Sequence, residues 1–428
     1  MKFVGKRIPR YDSLGHVTGK TRFVNDISLP GMLTVKVLRS SVAKADILDI
    51  DITEAENMPG VEAVITGKDV PNNSYGFYPD QPVLADKDIR FVGQPIVAVA
   101  AVDEDTAIKA LTKVKLSLDV KEAVFDPVEA MKPEAPLVRP EGNTWTFDDI
   151  LPYRKIRVGD IQKGFDDADY IVESDYSTPA QEHAMIENNC SLAEIDESGR
   201  LNIYTESQGV FFHLGHLTSI LQIPMNKINM IGGTVGGGFG GRNDVTSDHI
   251  AALCALKTQK PCKWLWTREE EMLCSQIRGA WQFHIKAGIR KDGKITAIKI
   301  DTINDTVAYA GFGPYAVDKS CFTIFGPYNI PNIWIDGYCV FTNKAIATSM
   351  RGFGINVGQF AMEAHMDKLA EEAGLSPWDV RFRNAWKDGA ISATMQKMHD
   401  VAIIEVMQAA AKLAGEELPK EYMEMSSK

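Results

Sequence analysis

Between Gly232 and Asp244 the sequence reads GGTVGGGFGGRND, and eight of those thirteen positions are glycine or threonine. A stretch so poor in side chains brings its backbone close to something, because residues without a Cβ leave N–H groups approachable and tolerate φ > 0. One bulky residue, Phe239, interrupts it. Gly236, Gly238 and Gly241 satisfy GxGxxG, an apparent strand KINMI precedes them, and a helix is predicted over Asp244–Leu256. CKWLWTREE then supplies a second strand ending in Glu269, which completes the outline of a dinucleotide-binding βαβ unit. Two features argue against that outline. The acidic residue comes about ten positions later than the ~20 the motif requires, and Phe239 and Arg242 are bulky where strand and helix must pack closely. On its own, the stretch is most simply a turn.

A second stretch repeats the theme. TSMRGFGINVGQFAMEAHMDKLA, from Thr348, sets glycines around Phe353 and runs into a helix predicted over Gly358–Ala373. Two such loops are expected to form two walls of one pocket. Glycines on this loop allow a sharp turn at Arg351, whose guanidinium then serves as a planar donor to an oxygen-rich group; a surface salt bridge is the plainer role. Gln208 follows the strand-like LNIYTES and offers a side-chain amide to an oxo group or anion, although most glutamines at strand ends face water.

The rest of the chain sets limits. At 428 residues it exceeds what one hydrophobic core supports, so two or more domains are expected. The longest apolar run, Pro95–Val102, reads as a buried strand and is far shorter than the roughly 20 residues of a membrane span. The first residues lack the apolar stretch of a secretory signal, so a cytoplasmic protein is expected, without a membrane partner. Six cysteines without a CxxC pair suggest buried free thiols rather than metal ligands or disulfides. With 57 acidic against 46 basic residues and no basic stripe, nucleic acid is not an expected partner.

Residues 1–123 alternate strands such as MLTVKVLRS with a helix predicted over EDTAIKALTKVKLSL, on the spacing of Ala107, Ile108, Ala110, Leu111 and Val114; they read as a compact α+β domain. Residues 124–156, rich in proline and carboxylates, read as an extended linker. Residues 157–428 form a larger domain mixing strands such as ITAIKIDTIND with helices. One of these, SPWDVRFRNA, carries Ser376 as N-cap and Asp379 at the capping-box position.

TESQ, then GGGFGGR about thirty residues on, then RGFG followed by GQFAMEAHMDKLA, together with TPAQEHAMIENN and PYNIPNIW, resembles the molybdenum-binding subunit of the xanthine oxidase family of molybdenum hydroxylases. GKTRFVNDISLPGMLTVKVLRSSVAKADILDID, PGVEAVITGKDVP and VLADKDIRFVGQPIVAVAAVDEDTAIKA resemble the small domain preceding the molybdenum domains in that family. The resemblance covers nearly the whole chain. It implies an α+β protein with an N-terminal α/β hammerhead-type domain followed by the first half of a molybdopterin-binding domain of mixed sheets and helices. It also implies an enzyme that hydroxylates a carbon beside a ring nitrogen, or an aldehyde carbon, with oxygen from water. Gln208 matches the glutamine that hydrogen-bonds a molybdenum oxo group. Gly237, Gly238, Phe239 and Gly240 match the loop that approaches the metal's ligands, Arg351 matches the arginine beside the cofactor, and Phe353 matches the phenylalanine that stacks on an aromatic substrate.

Departures from the family pattern narrow the substrate. Asn243 stands where purine-oxidising members carry a glutamate, and Lys319 replaces an arginine about nine residues before the YxIPN segment. Purines are therefore disfavoured, and Lys319 is placed to pair with a substrate carboxylate, although a surface lysine is the plainer role. Family members holding the whole module in one chain continue well beyond this length, into the half with the glutamate base and more pterin-binding surface. A split module is therefore expected, with a second molybdopterin subunit carrying that glutamate, an iron–sulfur subunit and an FAD subunit. Within the family this points to nicotinate, a small N-heterocycle, hydroxylated to 6-hydroxynicotinate with NADP as final acceptor. The implied cofactors are molybdopterin cytosine dinucleotide with a selenido or sulfido ligand on molybdenum, and FAD and [2Fe-2S] clusters in the partners. The alternatives are a split xanthine, purine or aldehyde hydroxylase, and a non-catalytic binding or assembly protein of the same fold.

Overall fold

The computed structural model describes residues 3–148 and 150–428. The chain divides into two compact units, residues 1–122 with 182–276, and residues 123–181 with 277–428. The break at 122/123 lies beside the expected 123/124 boundary, whereas residues 182–276 join the N-terminal unit instead of the later domain, and the reason lies in strand pairing. Leu33 and Thr34 pair in parallel with Cys262 and Lys263, which joins strands of the first hundred residues and strands of 190–265 in one sheet.

That sheet has seven strands, in the order Ile228–Gly232, Leu201–Thr205, Cys190–Ile195, Cys262–Leu265, Leu33–Arg39, Pro95–Ala101, Val61–Thr66. Pro95–Ala101 is paired on both sides and buried from Ile96 onward, as its continuous apolar run predicts. The helix Glu104–Leu111, N-capped by Asp103 through the Thr106 N–H, stops well short of Leu118, where the predicted stretch ends. Beyond it Leu116, Leu118 and Val120 alternate with polar residues, and Lys115–Val120 instead pairs antiparallel with Ala45–Asp51.

The dinucleotide-binding outline does not form. Ile228–Gly232 and Cys262–Leu265 are separated in the sheet by two other strands, and the following helix starts at Asp248 rather than Asp244. Tertiary bonds take precedence over helical propensity in this stretch: Ser191 Oγ meets Ser247 Oγ at 2.7 Å and Asp248 at 3.0 Å, and Asp248 meets His213 Nδ1 at 3.0 Å. All residues from Asp248 to Ala255 are buried against the sheet.

The second unit is built on a five-stranded sheet ordered Arg154–Val158, Ile333–Phe341, Ile295–Val307, Trp281–Ile289, Tyr170–Thr178. The helices Gly313–Cys321 and Ile355–Glu372 pack on it through Val317, Cys321, Met362, Met366 and Leu369. The second of these starts at Ile355, three residues before the predicted Gly358, with Gly354 as N-cap. The helix Pro377–Asn384 has the expected Ser376–Asp379 capping box. Residues 124–156, expected as a linker, pack within this unit. Val124, Val138 and Phe147 are buried, and Asn143 donates to the Ala130 and Pro136 carbonyls while accepting from the Val138 N–H. All six cysteines are free and buried. Among the described residues no helix is long and apolar enough to cross a membrane.

Candidate functional site

In the first unit, Leu201–Thr205 and Ile228–Gly232 run parallel with Thr205 opposite Gly232. TESQ and the glycine stretch therefore leave the sheet side by side, which explains why residues about thirty positions apart meet. The Gln208 N–H donates to the Arg242 carbonyl at 2.9 Å. Its side-chain Oε1 accepts from the N–H groups of Gly240 at 2.9 Å and Arg242 at 3.3 Å. Two N–H donors on one atom require that atom to be the oxygen, so the amide orientation is fixed and Nε2 is left with no partner among the described residues.

The loop is shaped around that side chain. A Cβ on Gly238 would lie 2.5 Å from Gln208 Oε1, a distance no side chain tolerates. Phe239 takes a left-handed φ of 52° and remains half exposed, a conformation that costs a non-glycine residue energy and is found at sites held by their surroundings. The N–H groups of Gly237, Gly238 and Phe239 have no acceptor among the described residues. With Gln208 Nε2 they form a set of donors without a matching acceptor. Asn243 lies just beyond the loop, where its N–H donates to the Gly240 carbonyl at 3.3 Å.

Behind the loop is a charged cluster that sequence reasoning missed. Arg242, marked out from sequence only as too bulky for a nucleotide loop, is 1% exposed. It pairs with Glu187 at 2.6 Å and lies 3.5 Å from Glu206. Burial pushes the Glu206 carboxyl up to about 8, against the opposing pull of Arg242. Both acids fall in the segments AMIENN and TESQ, but nothing in the sequence signals that they converge on Arg242.

In the second unit the RGFG loop lies against the helix Gly313–Cys321. A Cβ on Gly354 would fall 2.4 Å from the Ala316 carbonyl, so glycine permits the approach. Phe353, also left-handed at φ 43°, sets its ring edge-on to Tyr315 and Phe312, with centroids 5.4 and 6.0 Å away. One helical turn on from Tyr315, the Lys319 ammonium sits 5.1 Å from the Tyr315 ring centroid. Two predicted substrate residues, Phe353 and Lys319, thus flank one ring that sequence reasoning had not singled out. The only available signal was the i, i+4 spacing of Tyr315 and Lys319. The Arg351 carbonyl is held by Arg278, while its side chain is exposed and has no partner among the described residues.

The comparisons with known proteins agree with this architecture. The family model for the aldehyde oxidase and xanthine dehydrogenase a/b hammerhead domain matches residues 18–122, and that for the molybdopterin cofactor-binding domain matches residues 146–385. The chain is 36% identical over 398 residues to a probable xanthine dehydrogenase subunit of Bacillus subtilis, covering 92% of this chain and 51% of that protein. It is 33% identical over 416 residues to the nicotinate dehydrogenase large molybdopterin subunit of Eubacterium barkeri, covering 96% of both. The aldehyde oxidoreductase structure from Desulfovibrio gigas superposes with a TM-score of 0.89 at 28% identity, over 97% of this chain and 48% of that one. The chain thus spans about half the length of the first and third of these relatives.

A hammerhead domain joined to a molybdopterin cofactor-binding domain defines a molybdenum-cofactor oxidoreductase chain. The protein belongs to the xanthine oxidase family of molybdenum hydroxylases, within its molybdopterin-binding subunits.

Proposed function

We propose that this chain is the large molybdopterin subunit of a multi-subunit hydroxylase that converts nicotinate to 6-hydroxynicotinate. In the net reaction a ring C–H becomes C–OH with oxygen from water, releasing two electrons and two protons, with NADP as final electron acceptor. When bound, the molybdenum cofactor supplies the two-electron oxidation. The observation that carries the choice of substrate is the cluster Phe353–Tyr315–Lys319, in which aromatic surface and an ammonium stand together. A flat N-heterocycle bearing one carboxylate matches both, and a neutral aldehyde leaves the ammonium without a counterpart.

The residues of the first unit suit the cofactor's electron-rich atoms. Gln208 Nε2 and the N–H groups of Gly237, Gly238 and Phe239 are donors awaiting an acceptor, and the absence of a Cβ at Gly238 lets the loop backbone lie against the Gln208 side chain. Donors fixed in place before reaction stabilise developing negative charge without reorganising, an effect worth roughly 3 kcal/mol per donor. Gly240 keeps the Gln208 amide in orientation. Arg351 adds a guanidinium, Phe353 stacks on the ring, Lys319 pairs with the carboxylate, and Asn243 stands where purine-oxidising relatives carry a glutamate. The cofactor in this proposal is molybdopterin cytosine dinucleotide with a sulfido or selenido ligand on molybdenum. The general base, a glutamate, belongs to a second molybdopterin subunit, and electrons leave through [2Fe-2S] and FAD subunits in the cytoplasm.

Steady-state rates of the natively purified complex on nicotinate, xanthine and an aromatic aldehyde test this. Turnover of nicotinate with incorporation of oxygen from labelled water is the expected result, and turnover of xanthine alone overturns it. The similarity to a probable xanthine dehydrogenase subunit and to an aldehyde oxidoreductase favours, as a second reading, a purine or aldehyde hydroxylase; the same rates distinguish the two. A complex containing no molybdenum would instead indicate a binding or assembly protein.

A further inference from the structure

We propose that Glu187 and Arg242 are positioning residues, whose ion pair clamps both ends of the glycine loop and thereby fixes the direction of the Gln208 side-chain amide. The inference rests on the reading of Gln208 and the loop as the face presented to the cofactor.

The geometry is a short relay. Glu187 Oε2 accepts from the Gly236 N–H at 2.6 Å, where the loop begins. The same oxygen accepts from Arg242 Nη1 at 2.6 Å, where the loop ends, and Arg242 Nη2 donates to the Glu187 carbonyl at 2.6 Å. A fork that reaches a carboxylate and a carbonyl of one residue requires the planar guanidinium. Arg242 then passes the constraint on through its own backbone, because its N–H holds Gln208 Oε1 and its carbonyl holds the Gln208 N–H. Gly236 takes part through its missing side chain, since a Cβ there would lie 2.5 Å from Glu187 Cβ.

The cluster is poorly arranged for stability alone. Arg242 Nε, Glu187 Oε1 and Glu206 Oε2 are buried with no hydrogen-bond partner, and buried polar atoms left unsatisfied are rare and call for a reason. Replacing a buried ion pair by apolar residues of similar volume is often neutral or stabilising, so stability alone does not account for this pair. Burial drives Glu206 toward its neutral form, so the opposite charges that meet most closely in the cluster are those of Arg242 and Glu187.

The test uses the purified complex with Glu187→Gln, Arg242→Met and the double variant. Each single change strands a buried charge and should lower Tm, and should lower kcat on nicotinate by roughly 10- to 100-fold with KM within about twofold of wild type. Hydrogen exchange of the peptide covering residues 229–244, which reads loop order whether or not the enzyme turns over, should accelerate about tenfold. The double variant has no stranded charge, so its Tm should return toward wild type while its kcat and loop exchange stay impaired. Recovery of kcat and exchange together with Tm would show a purely structural pair and overturn the proposal, as would single variants with wild-type exchange. Where a variant fails to assemble, Arg242→Lys keeps the charge but loses the fork; it should show the same exchange increase on a smaller scale, and unchanged exchange overturns the proposal. A wild-type complex without molybdenum would sink the reading of the site, while the exchange measurement still decides the clamp.

Discussion

Replacing Gly238 with alanine adds one methyl group at the point where the loop meets Gln208. Gly238 is not among the residues with positive φ, so its backbone accepts alanine and the effect is steric. The new Cβ would lie 2.5 Å from Gln208 Oε1 and 2.6 Å from its Cδ, and these are the end of a flexible side chain, so the glutamine moves and the fold persists. Moving it breaks the bonds from Gly240 and Arg242. At about 1 kcal/mol each this is roughly 2 kcal/mol, offset by the roughly 0.4–1 kcal/mol that alanine gains over glycine by restricting the unfolded chain. A net loss of about 1–1.5 kcal/mol is expected, small enough to leave the complex assembled. The catalytic effect should be larger, because losing one oriented donor typically costs 100- to 1,000-fold in kcat. Gly215, inside the helix Val210–Leu221 with nothing within 4 Å of its virtual Cβ, is the control. Gly215→Ala should raise stability by roughly 0.5–1 kcal/mol with kcat unchanged. Thermal unfolding and steady-state rates on the two variants decide the matter. If Gly238→Ala behaves like Gly215→Ala, the loop does not constrain Gln208 and the assignment fails.

Three further outcomes are expected. Phe353→Ala keeps the left-handed backbone of that position but removes the ring; losing an aromatic contact worth about 0.5–1.5 kcal/mol should raise KM by about twofold to tenfold with molybdenum content intact, and unchanged kinetics would count against stacking. Lys319→Met keeps an apolar stem against Tyr315 and removes the charge, so KM should rise roughly 10- to 100-fold for nicotinate, the range of a charged hydrogen bond, and little for an uncarboxylated pyridine. An equal loss on both substrates would refute carboxylate pairing. His284 bridges Asp175 at 2.8 Å and Glu173 at 2.9 Å, and hydrogen bonds with these carboxylates raise its pKa above the usual imidazole range. Its contribution to stability is thus fully present below about pH 6.5, the unfolded value, and is lost as pH rises through the higher folded value. His284→Gln should flatten this part of the Tm–pH profile, and an unchanged slope would reject the ion cluster as its cause.

Local signals in the sequence were reliable where the determining contacts are local. The Ser376–Asp379 capping box and the buried strand at Pro95 depend on residues a few positions apart, and both occur as expected. The helix predicted as far as Leu118 ends at Leu111 because its last apolar residues also fit a period of two, and pairing with Ala45–Asp51 decides between the periods. The start of the helix at Asp248 was hidden for a similar reason, because Ser247 and Asp248 are held by Ser191 and His213, far away in sequence. Tyr315 and the Glu187–Arg242 pair were missed because each takes its meaning from a partner 38 or 55 positions away.

The glycine motif shows how the two kinds of information combine. GxGxxG specifies a backbone that something can approach, and a mononucleotide fold and this fold satisfy that equally. What separates them is which strand lies beside the loop. In a βαβ unit the neighbour is the strand after the helix, so the loop faces the helix N-terminus. Here Ile228–Gly232 pairs with the earlier strand Leu201–Thr205, and that register brings Gln208 under the loop and makes a side-chain amide its counterpart. Phe239 and Arg242, misfits in a nucleotide loop, are accommodated here: Phe239 stays half exposed, and Arg242 reaches the carboxylates of Glu187 and Glu206. The misfit residues therefore carried more information about function than the glycines that satisfied the motif.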